Sequence, residues 1–158
     1  MPKIDIAGIP VRKGGRYPVA FRHVIAAREK RALGDAAGLT QFGVNLTRLP
    51  PGASSALRHW HEAEDELIYM LEGELVLIED GGETLLKAGD AAGFKANVAN
   101  GHQLVNRSQH AALYLEIGTR AARDVAHYSD VDMFVERGLG HARYRRRSGE
   151  DYPTAATK

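Results

Sequence analysis

Between residues 40 and 118 the chain is a succession of short apolar segments, and this pattern limits the possible folds more than any other feature. The segments are QFGVNLTRL (41–49), LVLI (75–78), ETLLK (83–87), AAGF (91–94), HQLVN (102–106) and AALYLEIG (111–118). Turn residues separate them, and the turn Asp80-Gly81-Gly82 joins two apolar runs as in a β-hairpin. Short strands at a spacing of roughly 8–12 residues are typical of an all-β sandwich or barrel. We therefore predict an all-β fold for this part of the chain.

Residues 56–72 allow two interpretations. Their Ala, Glu, Leu and Met content favours a helix by intrinsic propensity. However, LIYML (67–71) has no polar residue on any helical face, and Gly73 lies between two apolar runs as a hairpin glycine would. We therefore favour strands. In a strand His59 and His61 would point to the same side, whereas in a helix they would lie about 200° apart.

Composition indicates an ordinary globular chain and excludes some classes of function. Its 158 residues are enough for one domain with a buried core, and 44% are hydrophobic and 26% charged. Because 21 basic residues balance 20 acidic ones, we expect neither nucleic acid nor a membrane as a partner. The absence of cysteine excludes disulfides, thiolate metal sites and cysteine nucleophiles. No apolar run is long enough for a signal peptide or a membrane span, so we expect a cytoplasmic location.

The two ends of the chain differ from its centre in composition and in hydrophobic pattern. We interpret residues 1–39 as an extended arm with a short edge strand at 4–9, followed by a helix at 19–33 that Gly34 can end. Residues 119–158 are polar and are expected to form an irregular tail that packs partly on the barrel. The basic run 143–147 is interpreted as a solvated part of this tail rather than a nucleic-acid contact, since acidic residues follow at once.

The stretch HWHEAEDE (59–66) carries the clearest chemical signal. Two imidazoles on one face of a strand and a nearby carboxylate are ligands for a divalent metal that prefers mixed nitrogen and oxygen donors. A lone histidine in a strand is usually structural, but this pair with its carboxylate favours a metal site. Glu64, Asp65 and Glu66 are the candidate carboxylates. Further along, the side chain of His102 would share one strand face with that of Asn106.

The segment from Gly52 to Gly73 resembles the first motif of the cupin superfamily, a glycine followed by His-x-His, a glutamate and a second glycine. Six residues separate Gly52 from His59-x-His61, four more precede Glu66, and a further six precede Gly73. This spacing to Gly73 favours Glu66 as the carboxylate.

The segment from Gly89 to Asn106 resembles the second cupin motif. Gly89 followed by aspartate matches the start of that motif, and His102-x-x-x-Asn106 matches its end. The middle departs from the pattern, since Lys95 replaces the usual proline and His102 comes two residues late. The resemblance covers residues 40–118, which we take as the barrel domain.

This resemblance implies a fold and a metal site. The implied fold is a cupin-like double-stranded β-helix (jelly-roll) barrel, here with one short N-terminal helix and irregular termini. The implied ligands are His59, His61, Glu66 and His102, which would hold a divalent transition metal inside the barrel. The ligand set does not choose among Fe, Mn, Ni, Co, Cu and Zn.

The resemblance leaves the reaction open, because the superfamily includes dioxygenases, decarboxylases, lyases, isomerases and non-enzymatic binding proteins. One hypothesis is a metal-dependent enzyme acting on a small oxygenated metabolite, by oxygenase-type or sugar isomerase-type chemistry. The alternative is a non-catalytic small-molecule-binding or regulatory cupin. Candidates to line the ligand pocket are Asn45, Phe94, Asn106 and Tyr114, for which core packing is an equally good interpretation.

The strand after Glu66 predicts an assembly. Alternation would place Leu67, Tyr69 and Leu71 on the outer face, and a lone barrel would expose this apolar surface. The arm, the helix or a second subunit must cover it, and we expect a homodimer.

Overall fold

The computed structural model describes residues 3–138 and 140–153, and most of the regular structure there is β. The strands, in chain order, are β1 (Arg12–Lys13), β2 (Glu29–Ala32), β3 (Phe42–Leu49), β4 (His59–His61), β5 (Glu66–Glu72), β6 (Glu74–Glu79), β7 (Gly82–Lys87), β8 (Ala91–Phe94), β9 (Gln103–Val105), β10 (Ala112–Thr119), β11 (Arg123–Tyr128), β12 (Met133–Gly138) and β13 (His141–Arg145). A 3₁₀ helix spans Val19–Ile25 and the short helix α1 spans Leu33–Ala36. Neither helix is long and apolar enough to cross a membrane.

The strands of the described part of the chain form three sheets. A six-stranded sheet has the order β1-β2-β3-β10-β5-β8, a four-stranded sheet the order β13-β12-β11-β4, and a three-stranded sheet the order β7-β6-β9. The predicted all-β class is confirmed. Within residues 3–138 and 140–153 these sheets do not close into a single barrel, although a β-bridge between His59 and His102 links β4 to the segment just before β9.

The strand interpretation of residues 56–72 is confirmed, since this region contains β4 and β5. Gly73 joins β5 to β6 with a φ of 74°, a left-handed conformation that glycine adopts without strain. The side chains of Leu67, Tyr69 and Leu71 are exposed, with relative accessibilities of 43%, 41% and 38%, whereas Met70 is fully buried. The predicted alternation of β5 is therefore confirmed.

The predicted N-terminal elements are largely wrong. Residues 4–9 contain no strand, and the proposed helix at 19–33 is a 3₁₀ helix as far as Ile25 and then the strand β2. β2 forms in spite of the helix propensity of this segment because it pairs with β3. In this pairing Arg31 lies opposite Leu46, and the backbone of β2 obtains its hydrogen bonds from β3. The side chain of Lys30 lies on the face of this sheet that lines the cavity described below.

The predicted irregular C-terminal tail is also wrong, because β11, β12 and β13 form a sheet with β4. The basic run lies on and just after β13, where Arg143 and Arg145 pair with Asp151 and Arg146 pairs with Glu150. Residues 154–158 of the predicted tail, and the first two residues of the arm, lie outside the described part. The domain limits 1–39, 40–118 and 119–158 stay predictions.

Among the described residues, two apolar cores flank the interior. The first lies between the six-stranded and three-stranded sheets, and its buried members are Leu49, Ala53, Ile68, Met70, Leu75, Leu77, Leu86, Leu104, Ala112 and Tyr114. The second lies against the four-stranded sheet, and its buried members are Tyr17, Ile25, Ala126, Tyr128, Met133, Val135, Tyr144 and Tyr152. Residues of both cores line one cavity, so the terminal segments and the central strands build it together.

Candidate metal centre and cavity

Three imidazoles converge on one carboxylate oxygen. The Oε2 atom of Glu66 lies 3.7 Å from Nε2 of His59, 3.5 Å from Nε2 of His61 and 3.0 Å from Nε2 of His102. The short strand β4 places its two histidines on one face, β5 begins at Glu66, and the β-bridge to His59 brings in His102. The structure therefore gathers all four side chains that the sequence singled out.

The second nitrogen of each β4 histidine is already hydrogen-bonded. Nδ1 of His59 donates to the carbonyl of Leu57 at 2.8 Å, and Nδ1 of His61 lies 2.6 Å from Oδ2 of Asp124. Since a neutral imidazole carries one proton, a proton on Nδ1 leaves a lone pair on Nε2, directed at Glu66. Histidines that bind metals use their other nitrogen in this way, which fixes the ring and its tautomer.

The electrostatics of this group fit a cation. Burial lowers the pKa of His59 to about 3, so this imidazole is neutral at pH 7. Burial alone would raise the pKa of Glu66, but the contact with His102 and the positive charges that the three imidazoles carry when protonated hold it below its usual range, so the carboxylate is charged. Oε2 of Glu66 is buried, and the described residues give it no well-aligned hydrogen bond. A cation among these donors would take the place of the imidazole protons and balance the buried carboxylate.

The donors of His59, His61 and Glu66 all lie within 4.8 Å of one another, and this group is compatible with a metal ion. His102 joins it through its contact with Glu66, and its ring stacks on Phe94 with centroids 3.6 Å apart and planes 4° apart. Nδ1 of His102 is buried and has no hydrogen-bond partner in the described part of the chain. The ring of His102 is thus oriented by stacking, whereas the other two are oriented by hydrogen bonds.

A second acidic group lies behind His61. Asp124 is buried, and its carboxylate also accepts a hydrogen bond from the backbone N–H of Ala63 at 3.0 Å. Oε2 of Glu64, one of the alternative carboxylates, lies 4.0 Å from Nδ1 of His61, on the side away from Glu66. Burial and the charge of Asp124 raise the pKa of Glu64. Asp65 accepts a hydrogen bond from the backbone of Ala96 at an exposed position.

The imidazole group lies in the wall of a cavity of about 340 Å³. The side chains that line it are Arg16, Tyr17, Ile25, Arg28, Lys30, Ser55, Ala56, His59, His61, Glu66, Ile68, Phe94, His102, Leu104, Tyr114, Glu116, Tyr128, Arg137, Ala142 and Tyr144. A smaller cavity of about 190 Å³ shares His61, Glu66, Phe94 and His102 with it. The candidate centre therefore contributes to the wall of each of these two cavities.

The predicted pocket residues divide into two pairs. Phe94 and Tyr114 line the larger cavity, whereas Asn45 and Asn106 do not. The Asn45 amide donates to Glu116 at 3.3 Å, and the buried Asn106 amide donates to two backbone carbonyls. Trp60 points away from its neighbours in β4, as the alternation predicts, and stacks on His127 with ring centroids 4.4 Å apart.

The sequence interpretation missed the positive charge of the cavity. Arg16, Arg28, Lys30 and Arg137 line it, but all four belong to the segments interpreted as an arm, a helix and a tail. Lys30 forms an ion pair with Glu116 across the sheet, and burial lowers the pKa of this lysine. The segment EKRA (29–32), which carries Lys30, is too short and too polar to identify a strand by itself.

Comparison with known proteins identifies relatives of this chain. The family model of the cupin domain matches residues 45–118. The structure of a sugar phosphate isomerase from a cupin superfamily of Silicibacter pomeroyi has 45% sequence identity and a TM-score of 0.93, and the alignment covers 98% of each chain. An oxalate-binding protein of Thermotoga maritima is 37% identical over 78 residues, which are 49% of this chain and 58% of that protein.

A more distant structure agrees on the fold alone. A predicted oxalate decarboxylase of Thermotoga maritima has 24% identity and a TM-score of 0.62, and the alignment covers 76% of this chain and 100% of that one. The chain thus aligns with the isomerase over nearly its whole length, including the terminal strands, and with the oxalate-binding protein over about half.

Proposed function

This chain belongs to the cupin superfamily, and from that premise we propose that it is a metal-dependent enzyme that isomerises a phosphorylated sugar. The observation that carries the proposal is the position of the His59, His61 and Glu66 group in the wall of a cavity with four cationic side chains. A metal-type donor set suits a sugar carbonyl and its neighbouring hydroxyl, and the cations suit a phosphate. The similarity to a sugar phosphate isomerase over 98% of both chains supports the same substrate class.

We assign four ligands to a divalent transition metal, His59, His61, Glu66 and His102. Three imidazoles and one carboxylate would leave positions open for a substrate on a five- or six-coordinate ion. When bound, such an ion supplies Lewis acidity, which polarises a carbonyl group and acidifies a neighbouring hydroxyl. Family membership also supports the jelly-roll arrangement of the strands, which we retain as part of this proposal.

Isomerisation of an aldose to a ketose moves one proton between two neighbouring carbons and another between their two oxygens, and the cavity offers a group for the transfer between the carbons. Glu116 lines the cavity, and its Oε1 is held by Lys30 and by the amide of Asn45. A carboxylate held in place by donors can accept a proton from one carbon and return it to the next. We assign this role to Glu116, with Lys30 holding its charge and position.

The test is turnover of a panel of phosphorylated aldoses and ketoses, followed by NMR in D₂O. The proposal predicts interconversion with deuterium incorporated at the carbon next to the carbonyl. Glu116→Gln should reduce the rate by about 100-fold or more while its metal content stays that of the wild type. His59→Ala should lose both metal and turnover. Failure of every phosphorylated sugar to react with metal-loaded protein would contradict the proposal.

A second candidate is a binding protein without turnover, for a small dicarboxylate. The relative that is an oxalate-binding protein favours it, although the alignment spans only 58% of that protein. The two candidates differ in their ligands, because a dicarboxylate needs no proton transfer and no phosphate subsite. Calorimetric titration with oxalate separates them, and oxalate binding without any turnover of sugar phosphates would favour the second. Oxygenase-type chemistry stays a prediction from the sequence.

A further inference from the structure

We infer that Arg16, Arg28 and Arg137, which share one cavity with Tyr144, form a subsite for the phosphate of a phosphate monoester, built by the segments that flank the family domain. This inference rests on the proposed function, because it assigns the residues that would hold the phosphate of the sugar. The three arginines line the same cavity as the proposed metal ligands but are not among those ligands. The ligand that this subsite would take is a dianionic monoester rather than a neutral sugar.

The three arginines converge although they are far apart in the chain. Arg16 belongs to the N-terminal arm, Arg28 precedes β2, and Arg137 lies on β12, yet all three line the same cavity as Tyr144 of β13. Burial raises the pKa of Tyr144, and the charges of Arg137, Arg28 and Arg16 each act to lower it. The cavity lining and the sign of these charge effects agree that the three guanidinium groups and the Tyr144 hydroxyl share one space.

The charges of these arginines are poorly compensated within the described residues. Arg28 donates to the backbone carbonyls of Ser55 and, at 3.0 Å, of Gly14, so its contacts carry no negative charge. No carboxylate of the described residues lies within 4 Å of Arg16 or Arg28, and the nearest to Arg137 is 3.9 Å away, on Glu64. A partly enclosed cavity with an excess of positive charge attracts an anion.

Arg28 also has N–H groups that the described residues do not use as hydrogen-bond donors. A guanidinium has five N–H groups, of which the contacts to Ser55 and Gly14 use two. Its Nε is buried and has no partner among the described residues. Backbone carbonyls hold the group in place, so binding an anion would require little reordering of its side chain.

The number and shape of the donors favour a phosphate monoester. It presents three terminal oxygens and about two negative charges, which match several guanidinium forks and one phenolic O–H. A single carboxylate would leave much of this charge unmatched. The Tyr144 ring is also held in place for such a ligand, because Tyr17 packs edge-on against it with ring centroids 6.0 Å apart.

The candidate metal ligands and the residues of the proposed phosphate subsite come from different parts of the chain. The segment that matches the family, residues 45–118, contributes the imidazoles and Glu66, whereas all three arginines and Tyr144 lie outside it. The flanking segments therefore determine which anion enters the cavity. This division explains how one domain can serve different substrates in different relatives.

The test is calorimetric titration of the purified protein with inorganic phosphate, which reports binding without turnover. Arg16→Gln and Arg137→Gln should each weaken phosphate binding by about tenfold or more, since each removes a charge-assisted hydrogen bond. Arg107→Gln is the matched control, because it removes one positive charge at an exposed pair with Glu83 away from the cavity. It should leave phosphate binding within about twofold of the wild type. Thermal melts verify that each variant is folded.

His59→Ala separates this subsite from the candidate metal centre. If the arginines hold the phosphate, this variant keeps phosphate binding although it loses metal. Loss of binding in His59→Ala with full binding in Arg16→Gln and Arg137→Gln would overturn the inference. If phosphate binding depends on the arginines but the protein turns over no sugar phosphate, the proposed function is contradicted and the subsite is supported. Turnover of a sugar phosphate with an unchanged KM in both arginine variants would contradict the subsite alone.

Discussion

At the scale of single residues, the contact between His61 and Asp124 orients one imidazole of the candidate centre. Burial alone would lower the pKa of His61, but the hydrogen bond to Asp124 and the charge of Glu66 raise it above its usual value. Burial would likewise raise the pKa of Asp124, yet hydrogen bonds from His61 and from the N–H of Ala63 lower it. Asp124 is thus a charged group that fixes the tautomer of His61 and makes its Nε2 more basic.

Asp124→Asn should weaken metal binding. The amide keeps the size of the side chain but removes the negative charge that supports His61, so we expect a loss of affinity of about 10-fold to 100-fold. Competition with a metal-binding dye measures this loss. Glu62→Gln is the matched control, because Glu62 forms the same kind of pair with Nε2 of His127 at 2.7 Å on an exposed surface. Equal affinities in the two variants would contradict the role of Asp124.

At the scale of elements, local patterns predicted the centre of the chain and failed at its ends. The strands β5, β6 and β7 are short apolar runs bounded by glycine turns, so the local pattern was enough to identify them. β2 and β13 lack such a pattern, and pairing with β3 and β12 stabilises them instead.

The candidate site shows the same division between local and distant information. His59, His61 and Glu66 lie within eight residues, so a motif can reveal them. Asp124 and Arg137 reach the site only because β11 pairs with β4 and β12 with β11. A single sequence does not carry that long-range register, and these residues could not be predicted from it.

The turn between β5 and β6 provides a test of an element. A methyl group at Gly73 would approach the carbonyl oxygen of Ala111 and Cα of Ala112 to 3.0 Å, and the φ of this residue is 74°. We expect Gly73→Ala to lower the free energy of unfolding by about 1–3 kcal/mol. Gly81→Ala is the control, since a methyl group there meets nothing within 4 Å, and should change it by less than about 0.5 kcal/mol. Urea unfolding measures both, and equal losses would contradict this account.

At the scale of the whole molecule, the outer face of β5 remains uncovered in the single chain. Leu67, Tyr69 and Leu71 are 43%, 41% and 38% exposed and form one apolar surface. Such a surface favours association with a second copy of the chain, and we propose a homodimer. The cytoplasmic location and the absence of a nucleic-acid partner stay predictions.

Sedimentation equilibrium at micromolar concentration tests the proposed dimer. We expect twice the mass of the chain for the wild type and the monomer mass for Leu67→Glu, because a charge would be buried without a partner at the interface. Val19→Glu is the control, since Val19 is 59% exposed on the 3₁₀ helix and away from β5. A monomeric wild type would refute the proposed dimer.

Metal analysis is the most direct test of whether His59, His61, Glu66 and His102 hold a divalent transition metal. Protein purified without chelator should contain about one transition metal ion per chain, as four nitrogen and oxygen donors predict. His59→Ala should fall below about a tenth of an equivalent, because the ion would lose an imidazole ligand. A wild type below about a tenth of an equivalent, or the same metal content in His59→Ala as in the wild type, would contradict this assignment of the metal ligands.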